Sequence, residues 1–373
     1  MDKDRLVQTF IDLVRIPSPG LREGAVAAYI KGKVASLGLE IAEDDAGRKL
    51  GGETGNLVVT VPGKARASKP RLLFAAHMDT VGPCEGVEPK VDNGRVHSAG
   101  DTILGADDKA GVAALLDVLA DSSKDDELPV PVQVVFTIAE ETGLLGAKNL
   151  DFSLVSADMA YVLDGESVPG DATTQAPSHI GYTVVCKGVA AHAGVAPERG
   201  VNAIRIAGEA IAELRLGRLD DETTANVGII KGGVATNVVP EQVEVRGEAR
   251  SHNATKLREA VDQARDAFES AAKRLGGSIE FREQIEYETY KVGDDQPIVK
   301  RLKAAASSLG LETSLHSSGG GSDANIFAAK GLPSIVLGMG ADDVHTKNES
   351  ISIDDLVKTA RLVQSIIEVD TGQ

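Results

Sequence analysis

Four short apolar runs, rich in β-branched residues, recur in the first 165 positions of the chain, and each stops abruptly at polar side chains. They are LVVTVPG (57–63), RLLFAA (71–76), VQVVFTIA (132–139) and MAYVLD (159–164). The runs are too short for helices and too continuously apolar for strands with one wet face. With the helical stretch AGVAALLDVLA (110–120) between the second and third, they predict a mostly parallel sheet buried on both sides. Such a sheet binds its ligands beyond the carboxyl ends of its strands.

The pattern is interrupted once. From 179 to 291 the order becomes strand HIGYTVVCKG, helix VNAIRIAGEAIAELR, strands NVGIIKG and VEVRGEARS, a long helix over 254–275, and strand SIEFREQIEYETY. That is β-α-β-β-α-β, a ferredoxin-like α+β unit. Helix and strand alternation then resumes through VKRLKAAASSLG, the loop HSSGGGSD and the strand PSIVLG (333–338). The expected fold is α/β: a discontinuous catalytic domain, 1–178 and 292–373, interrupted by a smaller insert, 179–291. A length of 373 residues agrees with two domains. At the start, Leu6, Phe10, Leu13 and Val14 form one stripe of an amphipathic helix, and a last helix begins near Ile353.

Charge narrows the partners. With 39 basic and 56 acidic side chains the net charge is −17, which argues against nucleic acid and anionic membrane. The chain has no Trp, so a stacking platform for bases or sugars is not expected. No apolar stretch approaches the roughly 18 residues of a membrane span, and no secretory pattern opens the sequence. The expectation is a cytoplasmic protein. Cys84 and Cys186 are too few for a disulfide framework or a thiolate zinc site. A metal would have to be held by His, Asp and Glu.

Those residue types stand at the strand ends. His77-Met78-Asp79 follows the second run, and Leu104-Gly105-Ala106-Asp107-Asp108-Lys109 opens the helix. Glu140-Glu141, Asp164-Gly165-Glu166 and Asp343-Val344-His345-Thr346 follow the later strands. Singly, each has a bland reading: a turn histidine, a capping Asp pair, a solvated Glu pair, an Asp-Gly turn. Together, five loops would crowd carboxylates at one sheet edge, where divalent cations relieve their repulsion. A two-metal site needs terminal ligands on each ion, one bridging carboxylate and a base. The strand ends supply that inventory.

The ordered set resembles the co-catalytic zinc exopeptidases, a family that includes peptidase T, carboxypeptidase G and aminoacylase. It comprises H-x-D at His77–Asp79, A-D-x-K-A-G from Ala106 to Gly111, Glu140-Glu141, Asp164, and H-T-x-x-E from His345 to Glu349. LGADDKAG, GVAAHAGVAPERGVNAI and ATNVVPE look most like the peptidase T-like branch. The resemblance implies that His77 and Asp164 hold one ion, Glu141 and His345 the other, and Asp107 bridges both. The ions would be zinc, with manganese or cobalt as alternatives. Asp79 would hydrogen-bond the far nitrogen of His77, and Asp108 would face away as cap or support. A metal-bridging hydroxide would attack the substrate, with Glu140 as general base. Short peptides are the implied substrate, cleaved in an aminopeptidase or tripeptidase manner.

In the insert, the resemblance implies that His192 polarises the scissile carbonyl in a partner subunit's site, so that the insert serves as lid and dimerisation domain of a homodimer. Ala193 stands where classical peptidase T carries proline, which weakens any direct inference of tripeptide specificity. Asn237 and Arg250 resemble residues that hold the substrate's main chain or carboxylate, a role for which an arginine fork is suited. The run Gly319-Gly320-Gly321-Ser322-Asp323-Ala324 satisfies a dinucleotide fingerprint, but the segment before it is a poor core strand. In the family pattern, Gly320 and Gly321 would cradle a substrate carboxylate beside the ions. His97, His179, His252 and His316 have no matching partners, and both cysteines read as small apolar fillers.

Three other readings stay open. A carboxypeptidase or N-acyl-amino-acid deacylase would use the same metal ligands. A non-catalytic peptide- or metal-binding scaffold would be expected to lack the base or the bridging acid, and both are present. A nicotinamide oxidoreductase rests only on the glycine run.

Overall fold

An apolar run buried on both faces must sit in the middle of a sheet, and Leu72–His77 and Val132–Thr137 are buried at every position. The computed structural model describes residues 2–63, 70–123 and 128–370. The chain divides into two compact units. The larger comprises Met1–Gln175, Lys291–Ser317 and Ser322–Gln373, and the smaller Ala176–Tyr290 with Ser318–Gly321.

In the larger unit the main sheet runs in the order Ile41–Glu43, Leu57–Val61, Val132–Thr137, Leu72–His77, Met159–Gly165, Ser334–Gly338, Ala172–Ala176. The middle four strands are parallel. Outside them Ile41–Glu43, Leu57–Val61 and Ala172–Ala176 pair antiparallel, while Leu315–Ser317 pairs parallel with Ala172–Ala176, so the sheet is mixed and the mostly parallel expectation holds only in part. Leu57–Val61 and Leu72–His77 run in opposite directions on either side of Val132–Thr137, which lies between them. Register places His77 opposite Thr137 and Gly165 opposite Gly338, which aligns the carboxyl ends along one edge.

The helix Ala106–Ser122 is buried nearly all round. It packs on Leu72–His77 and against the helices Lys3–Val14 and Ile353–Glu368. Lys3–Val14 buries Leu6, Phe10, Leu13 and Val14, the stripe expected from spacing. The strand expected over 132–139 ends at Thr137 because Ala139 takes a left-handed φ of 49° and turns the chain out of the sheet. A separate four-stranded sheet of Pro89–Asp92, Arg95–Ser98, Ala341–Asp342 and Ser350–Ser352 was not anticipated. Its strands are short and largely polar, so no alternation announces them. Among the described residues no helix is long and apolar enough to cross a membrane.

The smaller unit has five antiparallel strands in the order Gly217–Asp220, Thr223–Gly232, Gln242–Ser251, Ser178–Lys187, Ser278–Tyr287. Helices Ala203–Glu213 and Ala254–Leu275 pack on this sheet over a core that includes Tyr182, Val184, Val245 and Phe268. Leaving aside the short strands Ala191–His192, Gly217–Asp220 and Val238–Val239, the sequence of elements is β-α-β-β-α-β. The glycine-rich loop Ser318–Gly321 groups with this unit rather than with the 292–373 segment. Within it, a Cβ built on Gly321 would lie 2.4 Å from the Tyr287 ring, so only glycine fits there.

Candidate metal centre

His77 ends a central strand and is 2% exposed. Its ring Nδ1 lies 2.9 Å from the Asp79 backbone oxygen, which leaves Nε2 facing Asp107 Oδ1 at 3.0 Å and Asp164 Oδ1 at 3.7 Å. The other oxygen of Asp107 faces His345 Nε2 at 3.2 Å, and that nitrogen also lies 2.7 Å from Glu141 Oε1. One carboxylate therefore stands between two imidazoles, one oxygen toward each, and each imidazole meets a second carboxylate. Donor atoms of His77, Asp107 and Glu141 all fall within 4.8 Å of one another.

Protonation preferences reflect this crowding. Burial works to raise the Asp107 carboxyl, but its bonds to His345 and His77 hold it below the usual carboxylate range. Those bonds to Asp107 and Glu141 push His345 up to about 10. Asp164 is pushed up to about 7 by burial, with the Asp107 charge adding to it. Glu140 is raised well above its ordinary value by burial and then by the Asp164 charge. The donor set is imidazole and carboxylate with no thiolate, built as two halves around a shared acid. That chemistry fits a pair of divalent cations.

Backbone amides hold the loops in place. The Asp79 carboxylate accepts from Glu140 N at 2.9 Å and from Glu141 N at 3.1 Å, whereas its Oδ1 is 3.4 Å from His77 Nδ1. Its closest bonds thus go to the turn that carries the two glutamates, and the nearer partner of the His77 ring is the Asp79 main chain. Asp108 is fully buried. It accepts from His77 N at 3.0 Å and Gly111 N at 3.1 Å, the supporting position expected of it. Burial raises its carboxyl well above the ordinary value.

Two supports were not assigned from the sequence. Glu349, quoted only as the end of H-T-x-x-E, accepts from Leu104 N, Gly105 N and Asp107 N at 2.9, 2.6 and 2.9 Å. It ties the loop of Asp107 to the segment of His345. Asp323 lies buried beneath the site, accepts from Thr137 Oγ1 at 2.6 Å, and is pushed up to about 6 by burial. An acid three residues past His-Thr is the only sequence signal for Glu349; the run at 319–324 was read for its glycine backbone, and the acid that follows the glycines was passed over.

The remaining candidates lie in the smaller unit. His192 sits in a two-stranded antiparallel sheet opposite Val238, and Ala193 N donates to the Asn237 carbonyl at 2.9 Å. Gly194 N donates to His192 Nδ1 at 3.1 Å, so the ring proton belongs on Nε2, which is then a donor. Arg250 gives Nε and Nη2 to Glu248, both at 3.1 Å. Its Nη1 would stand 3.8 Å from a Cβ built on Gly320. His179 lies 3.0 Å from Glu248, His97 3.3 Å from Asp92 and His316 3.0 Å from Asp171. Cys84 and Cys186 are buried free thiols.

Comparison with known proteins bears on this arrangement. A model described as peptidase family M20/M25/M40 matches residues 73–369. The Bacillus subtilis protein YqjE is 40% identical over 368 residues, 99% of either chain. A solved tripeptidase from Staphylococcus aureus superposes with a TM-score of 0.92 at 39% identity, covering 99% of this chain and 98% of that one. Aminopeptidase PepT from Bacillus cereus gives a TM-score of 0.88 at 40% identity with the same coverage.

Proposed function

The chain belongs to the peptidase family M20/M25/M40 and is a metal-dependent exopeptidase, and from that premise we propose that it hydrolyses short peptides in the manner of a tripeptidase or aminopeptidase. The observation that carries the reading is Asp107, whose two oxygens face two imidazoles that each meet a further carboxylate. The likeness to a tripeptidase and to an aminopeptidase at 39% and 40% identity supports the substrate class.

His77 and Asp164 would hold one ion, Glu141 and His345 the other, and Asp107 both. Two divalent ions held there, zinc foremost, would supply Lewis acidity toward the carbonyl and the attacking water. Glu140 takes the proton of the attacking water and returns it to the leaving amine. Burial, which raises the proton affinity of this carboxylate, suits it to that work. His192, with its proton on Nε2, donates to the carbonyl oxygen as negative charge develops there. Arg250, Asn237 and the backbone at Gly320 and Gly321 receive the main chain and carboxylate of the peptide. The smaller unit serves as a ferredoxin-like lid and dimerisation domain of a homodimer.

The metal-stripped protein, with zinc, manganese or cobalt restored in turn, should turn over free tripeptides and leave N-acetylated amino acids essentially untouched. Preference for the acetylated compounds would assign a deacylase to the same scaffold. Assembly can be tested separately. Variants at His192 and at Glu140, each nearly inactive alone, should recover roughly a quarter of wild-type activity on mixing if His192 serves the partner's site, because about half of randomly mixed dimers are hybrid with one intact site. No recovery, with subunit exchange shown by tag pull-down, places the action of His192 in its own chain or nowhere.

A further inference from the structure

Glu23 is fully buried, ahead of the 73–369 segment that the family model matches, and has no part in the chemistry above. It precedes the helix Gly24–Ser36 as its N-cap, where an acid ordinarily serves the helix's own first amides. Its side chain makes no such bond. Glu53 accepts from Gly24 N at 3.2 Å instead, which leaves Glu23 to reach elsewhere. Its Oε1 accepts from Leu21 N at 2.8 Å and from Ala139 N at 2.9 Å.

Ala139 is the residue with left-handed φ where the chain leaves the sheet and presents the two glutamates. A side chain other than glycine is strained in that conformation and persists there only when its surroundings impose it. The next two amides, of Glu140 and Glu141, end on the two oxygens of Asp79. Three successive N–H groups, 139 to 141, are thus received by carboxylate oxygens from two segments far apart in sequence. This is an anion-binding nest filled by the protein's own side chains.

We propose that Glu23 is a positioning residue for the general base: by accepting the Ala139 N–H it holds the left-handed turn that aims Glu140. The inference rests on the reading of Glu140 as base. Burial and then the Asp79 charge push the Glu23 carboxyl up to about 7. Oε1 remains an acceptor whether or not the group carries a proton, so an amide can take its place.

The test compares Glu23→Met, which keeps the volume and removes the acceptor, with Glu23→Ala and Glu23→Gln, and runs Glu140→Gln beside them. Each is assayed on trialanine in the zinc-loaded enzyme, with zinc content and thermal unfolding measured on the same samples. Met and Ala should lower kcat about 10- to 100-fold, the effect of a small misplacement of a reacting group. KM should stay within about twofold and zinc content at the wild-type level, and Gln should restore most of kcat. Wild-type kcat in Met and Ala beside an inactive Glu140→Gln overturns the proposal alone. So does a Gln variant as impaired as Met, or a fall that tracks lost zinc or lost folded protein. Should Ala fail to fold, Met carries the comparison. If Glu140→Gln itself stays active, the failure is that of the base assignment.

Discussion

Glu140→Gln should lower kcat by at least about 10² to 10⁴ while metal content stays near wild type. The loss corresponds to roughly 3 to 5 kcal/mol of transition-state stabilisation. The amide keeps the shape of the carboxylate and cannot accept the proton. The turn itself does not depend on that side chain, because the Glu140 and Glu141 amides are received by Asp79 and the Ala139 amide by Glu23. Steady-state kinetics with elemental analysis of the same preparation checks both halves. A variant that loses its ions would mean that Glu140 is a ligand and that the roles of the two glutamates are reversed.

Asp107→Ala should be the most damaging substitution among the proposed ligands, since it withdraws the group that, among the described residues, faces both imidazoles. Metal affinity should fall by more than the 10- to 100-fold that loss of an outer-shell partner costs, at both positions together, and turnover should vanish with it. Asp108→Asn is the control. Asp108 meets the site through His77 N and Gly111 N, and an amide oxygen can still accept one of those bonds. Asn at 108 should therefore keep most of its metal under conditions that strip Ala at 107. Equal losses in the two would put the register of the Asp pair in doubt.

Sequence pattern and structure agree where burial decides the outcome. Leu6, Phe10, Leu13 and Val14 share a stripe because helix period and core contact are one constraint. The apolar run before His77 shows a strand end in the sequence, whereas past Thr137 the buried Ile138 and Ala139 continue the apolar run and only the left-handed φ of Ala139 ends the strand. The candidate donors at those ends could be proposed because each stands directly after an apolar run of the sequence. Strand direction was less legible: nothing in LVVTV marks it as antiparallel to its neighbour Val132–Thr137.

The supports of the site were the least legible part. Glu23 meets Ala139 across 116 positions, and Glu349 meets Asp107 across 242. Each acid is ordinary in its local sequence. The bond that defines it belongs to a backbone amide of a distant loop, which carries no side-chain identity to be read. For the same reason the sequence offered Asp79 only for the His77 ring, whose Nδ1 lies 3.4 Å from its Oδ1, and not for the amides of the glutamate turn that its carboxylate also receives. The loop Ser318–Gly321 was placed by its glycines, while its grouping follows from the Tyr287 ring beside Gly321.

Equilibrium dialysis of the metal-stripped chain against zinc tests the central claim most directly, that Asp107 joins two ions in one site. Wild type should take up two ions per chain, and activity on trialanine should rise with occupancy. Asp107→Ala should retain fewer than one under the same conditions. A wild-type chain that saturates at one ion with full activity, or an Asp107→Ala chain that still binds two, would contradict the account.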